Sequence, residues 1–66
     1  MEITINGSKM ETGGEQNLSS LLKGLGVDPE KTVAELNGEV IPKSAYGQTI
    51  VRGGDKIELI RFVGGG

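Results

Sequence analysis

Cysteine and histidine are both missing from this chain of 66 residues. Without cysteine there is no disulfide framework, no thiolate nucleophile and no zinc–thiolate centre. Without histidine the usual general base and the commonest metal ligand are gone, and serine–histidine and cysteine–histidine pairs with them. Carboxylates alone remain for acid–base work, so the composition argues against a self-sufficient enzyme. Aromatics are nearly as scarce, with Tyr46 and Phe62 the only two. The seven basic residues are scattered between Lys9 and Arg61, and the formal net charge is −2. A nucleic-acid surface calls for a basic face with stacking platforms, and neither is present. No apolar run reaches membrane-spanning length and no charged-then-apolar leader opens the chain. A cytoplasmic protein of a reducing compartment is therefore expected.

What is present is periodicity. Met1, Ile3 and Ile5 alternate with Glu2 and Thr4, the period of a half-buried strand. Asn6-Gly7 follows, a pair suited to a two-residue hairpin turn because both positions tolerate positive φ. The return strand is expected over 8–12, with Met10 facing the core, and Gly13-Gly14 breaks the pairing. Asn17 reads as a helix N-cap ahead of Leu18, Leu21, Leu22 and Leu25, whose spacing makes one apolar stripe. Gly26 is placed to end that helix in a left-handed conformation, with Val27 as the accompanying hydrophobic contact. Asp28-Pro29 reinforces the stop, since proline disfavours a helical residue before it.

Thr32-Val33-Ala34-Glu35-Leu36 reads as a strand, Asn37-Gly38 as a second hairpin turn, and Glu39-Val40-Ile41 as the return, ended by Pro42. A short turn or 3₁₀ segment is expected over 43–47, anchored by Tyr46, and an extended piece over 48–51. Arg52-Gly53-Gly54-Asp55 is a turn closed by Asp55, and a last strand is expected over 56–63. The first and last strands are the most apolar and should lie side by side at the centre. Their order requires them to be parallel, joined by a long crossover. The expected fold is α+β: a β-grasp (ubiquitin-like) domain over 1–63, a mixed sheet of about five strands on one helix. Residues 64–66 are left as a flexible glycine tail.

That tail, Gly64-Gly65-Gly66, carries the functional argument. Glycines offer no side-chain chemistry and no packing, but they make a thin, extensible tether for a terminal carboxylate. A domain that presents its carboxyl end in this way is expected to be a substrate of another enzyme. The competing structural reading is an inert, glycine-rich terminus.

Asn37-Gly38-Glu39-Val40-Ile41-Pro42, Gly54-Asp55-Lys56-Ile57-Glu58 and Phe62-Val63-Gly64-Gly65-Gly66, in this order and spacing, resemble the ThiS family of bacterial sulfur carriers. The resemblance covers nearly the whole chain. It rests on the conjunction of turns and a glycine end, since each turn alone is common. It implies that an activating enzyme of the ThiF type adenylates the Gly66 carboxylate with ATP and magnesium. Sulfur from a persulfide donor then displaces AMP to leave a thiocarboxylate, which a ThiG-type thiazole synthase uses in building the thiazole ring of thiamine. On this reading the chain itself binds no cofactor or metal. Gly64 and Gly65 serve as tether, and the third glycine departs from the plainest di-glycine pattern.

A second expectation comes from the last strand itself. Ile57 and Leu59 alternate onto the core face, leaving Ile60 and Phe62 on a face that one helix cannot cover. These two, with Val63, are expected to form an apolar docking patch for the activating enzyme. A β-bulge that turns one of them inward is the structural alternative. Three other functions remain open: a MoaD-like carrier of molybdopterin synthesis, a ubiquitin-like modifier, and a β-grasp binding module with an inert tail. MoaD-like chains are usually longer and tend to carry proline where Phe62-Val63 stands here.

Overall fold

The computed structural model describes residues 1–61. Phe62, Val63 and the three glycines lie outside the described residues, as does the boundary expected between a domain ending at 63 and a tail. Strand β1 spans Glu2–Ile5 and β2 Ser8–Glu11. Between them Asn6 and Gly7 take φ of 49° and 83°, and Ile5 pairs with Ser8, closing the hairpin where Asn-Gly predicts it. The strand β4 (Thr32–Leu36) and β5 (Glu39–Ile41) repeat the device, with Asn37 and Gly38 at φ 51° and 86°.

The helix α1, Leu18–Gly24, starts where Asn17 accepts a hydrogen bond from the Ser20 amide at 2.8 Å. It ends in two complementary bonds: the Gly26 amide donates to the Lys23 carbonyl at 3.0 Å and the Val27 amide to Leu22 at 2.9 Å. Gly26 supplies the left-handed residue at φ 76°, and Val27 packs against the core. Leu18, Leu21 and Leu22 are buried, while Leu25 sits at the C-cap, half-buried against them.

The last strand, β7 (Lys56–Arg61), lies in the middle of a five-stranded sheet of order β2-β1-β7-β4-β5. It is parallel to β1, through Thr4↔Lys56 and Ile5↔Ile57, and antiparallel to β4, from Thr32↔Arg61 to Leu36↔Ile57. One helix over a mixed sheet with parallel central strands is the β-grasp arrangement expected. Ile3, Ala34 and Ile57 face the helix and are buried with its leucines, Val51 and Tyr46. Thr32, also buried, satisfies its hydroxyl on the Asp28 carbonyl at 2.7 Å.

Two expectations are corrected. Met10 does not enter the core; it is 37% exposed. Its register partner Ile3 is buried, but β2 is an edge strand, and a helix of seven residues does not reach over it. The extended piece expected over 48–51 shrinks to β6, Ile50–Val51, which pairs with β3, Gln16–Asn17, as a separate small sheet. The Gln48 amide instead donates to the Ala45 carbonyl at 3.1 Å, prolonging the turn that follows the 3₁₀ segment Lys43–Ala45. Two-residue strands carry no periodicity, so nothing in the sequence marks β3.

Candidate functional site: the exit of the last strand

The buried Tyr46 anchors the segment before β6. Its hydroxyl donates to the Thr32 carbonyl at 2.7 Å and accepts from the Ala34 amide at 3.1 Å. A side chain thus occupies backbone groups of β4 beyond the point where Pro42 ends β5. The start of β7 is fixed with similar economy. Asp55 accepts from the Arg52 amide at 2.8 Å, closing the turn as expected, and from the Asn37 carboxamide at 3.1 Å. The exposed Arg52 lies 3.7 Å from Glu15, a surface ion pair of small weight.

With its start tied down, β7 runs toward the glycines in fixed register with β4. The pairs Val33↔Ile60, Glu35↔Glu58 and Glu35↔Val40 place these five side chains on the face turned away from the helix. Ile60 is 53% exposed and Val40 64%. Ile60 therefore points outward as expected, with no bulge turning it in. Phe62 and Val63, the other expected docking residues, fall outside the described residues, as do Gly64, Gly65 and Gly66.

Val33 and Val40 extend the patch across β4 and β5. Nothing within their own short strands ties them to Ile60; only the register of the sheet brings the three together. What signal there is lies in the outward positions of Thr32-Val33-Ala34 and Glu39-Val40-Ile41. Glu35 and Glu58 stand directly opposite each other beside the patch, and neither joins an ion pair among the described residues. Like charges at opposed strand positions oppose pairing, so this pair does not serve the sheet.

Among the described residues there is no ligand-sized cavity and no cluster of carboxylates fit to hold a metal. No described helix is long and apolar enough to cross a membrane. What the described residues offer is an exposed sheet face on the strand that precedes the glycines.

Comparisons with known proteins identify the family. The model of the ThiS family matches residues 3–66. A crystal structure of the thiamine biosynthesis protein ThiS from Geobacter metallireducens superposes with a TM-score of 0.87 at 38% identity, covering all of both chains. The sulfur carrier protein ThiS of Escherichia coli is 29% identical over the full length of both. A thiazole synthase from Paramagnetospirillum magneticum is 42% identical over all 66 residues of this chain. The chain spans about a fifth of the length of that protein and of a second thiazole synthase, from Magnetococcus marinus, at 38% identity.

Proposed function

The chain belongs to the ThiS family, and on that premise we propose that it is a sulfur carrier acting in thiamine biosynthesis through the carboxylate of Gly66. The observation that carries this reading is the match to a ThiS protein at a TM-score of 0.87 and 38% identity, in a sequence that carries Gly64-Gly65-Gly66. A carboxylate is a poor electrophile. In the proposed cycle a Gly66 oxygen attacks the α-phosphorus of ATP, held with magnesium by a ThiF-type enzyme, and pyrophosphate leaves. The terminal sulfur of a persulfide then forms a bond to the carbonyl carbon as AMP departs. A thiol of the partner breaks the S–S bond, ending in a disulfide and freeing the thiocarboxylate. A ThiG-type thiazole synthase is the acceptor. The matches to proteins named thiazole synthase support a place close to that activity.

In this scheme every catalytic group, the nucleotide and the metal belong to partners. That division fits a chain without cysteine or histidine. The chain contributes a tail without Cβ atoms, able to enter a narrow channel at the cost of ordering entropy. It also contributes the docking patch of Val33, Val40 and Ile60, continued in sequence by Phe62 and Val63. Glu35 and Glu58 beside that patch suit an activating enzyme whose apolar contact surface carries a basic rim.

The test is intact mass after incubation with a ThiF-type enzyme, MgATP and a persulfide source. Replacement of one oxygen by sulfur is expected, and deletion of Gly66 should abolish it. Turnover only with a molybdopterin-type activating enzyme would reassign the chain to that pathway. Isopeptide conjugates lost on deleting Gly66 would make it a modifier.

A further inference from the structure

The two Asn-Gly hairpins look alike in sequence, yet each asparagine does something to β7 that a turn does not need. In the parallel ladder between β1 and β7, the Thr4 amide donates to Asp55 at 3.0 Å and the Asn6 amide to Ile57 at 2.9 Å. The next rung of a parallel ladder would join the Leu59 amide to the backbone carbonyl of residue 6, and the Leu59 carbonyl to the amide of residue 8. Neither partner is in place, because the chain turns away at Asn6, with φ 49°, to begin β2.

The Asn6 carboxamide fills the gap. Its Oδ1 accepts from the Leu59 amide at 2.8 Å, and its Nδ2 donates to the Leu59 carbonyl at 3.3 Å. A primary amide has the donor and acceptor of a peptide unit, so one side chain stands in for the missing step of β1. On its other side β7 is still paired with β4 as far as Arg61. Among the described residues, Leu59 is thus the last point at which the strand is gripped from both sides.

Asn37 works at the opposite end and on the opposite edge. Its amide donates to the Lys56 carbonyl at 2.7 Å, and its Oδ1 accepts from the Lys56 amide at 2.9 Å. One asparagine holds the entrance of β7 against β4, and the other holds its exit against β1.

We infer that Asn6 is a positioning residue: its carboxamide latches Leu59 so that Ile60 and Arg61 hold one fixed path along β4 ahead of the residues that carry the tail. Without the latch, residues 59–61 keep only their β4 partner and fray outward. The ordering cost then falls on docking. The catalytic step on the already docked complex is untouched. This inference rests on the carrier reading for its effect on turnover, while the latch itself is measurable on the free protein.

The experiment compares Asn6→Gly, Asn6→Asp and Asn37→Gly in the full chain. Glycine accepts the positive φ at both positions, so each glycine variant removes a carboxamide while leaving the turn allowed. Asn6→Asp keeps the acceptor for the Leu59 amide, but loses the longer bond and sets a carboxylate oxygen against the Leu59 carbonyl. Hydrogen exchange at the Leu59 amide should accelerate by at least about tenfold in Asn6→Gly and less in Asn6→Asp. In Asn37→Gly the acceleration should appear at Lys56 instead.

With a ThiF-type enzyme, Asn6→Gly should raise KM for the carrier by roughly three- to tenfold with kcat within about twofold, because lost preorganisation weakens binding. Asn6→Asp should recover part of that loss. Asn37→Gly, matched for loss of Tm, should leave KM near wild type. Unchanged Leu59 exchange in Asn6→Gly overturns the latch. Equal KM effects in the two glycine variants overturn the positioning role and leave general destabilisation. A wild-type chain that no such enzyme adenylates sinks the carrier reading and the effect on turnover with it, and Leu59 exchange still decides whether the latch exists.

Discussion

The two faces of β7 differ more than their sequences do. Ile57 and Ile60 are the same residue type on one strand, yet one is 1% exposed and the other 53%. The inner face is closed by the helix leucines and Tyr46. The outer face has no covering element among the described residues, and still carries Val33, Val40 and Ile60 beside two opposed glutamates. The inner isoleucine answers to folding. The outer one adds little to that core, and under the proposed function it is where the activating enzyme lands.

The sharpest way to break this comparison is to truncate both isoleucines. Ile57→Ala should cost about 2–5 kcal/mol, since it empties a packed core site. In so small a domain that is a large share of the total, readable as a collapse of the urea midpoint. Tyr46→Phe should cost less, about 1–3 kcal/mol, because it leaves the Thr32 carbonyl and Ala34 amide without their partner in a buried place. Ile60→Ala should cost under about 1 kcal/mol, by equilibrium unfolding, because half its surface already meets water. The same variant should raise KM for adenylation by a ThiF-type enzyme. A large loss of stability in Ile60→Ala, or an unaltered KM, would erase the distinction between the faces.

Much of the scaffold is legible from local rules. Asn17, the leucine spacing and Gly26 specify both ends of the helix, and the two Asn-Gly pairs specify both hairpins. The parallel neighbours follow from which strands are most apolar. Met10 shares the face of Ile3 yet stays exposed, because alternation gives a side chain its face but not the extent of cover over that face. The patch was only partly legible, with Ile60 found from its own strand and Val33 and Val40 supplied by neighbours in register. Of the small sheet only β6 is legible, inside the extended piece over 48–51, while β3 is too short to show any period.

By itself the sequence determined the turns, the helix ends, the core stripe and the chemistry available to the chain, because each depends on residues a few positions apart or on simple presence. Only the tertiary structure decided which strand ends outrun their neighbours. It thereby decided that the carboxamides of Asn6 and Asn37 and the hydroxyl of Tyr46 would replace missing backbone partners. Such roles join positions up to 53 residues apart. They arise from differences in strand length that no local pattern encodes, and from the demand that exposed rungs of a sheet find partners.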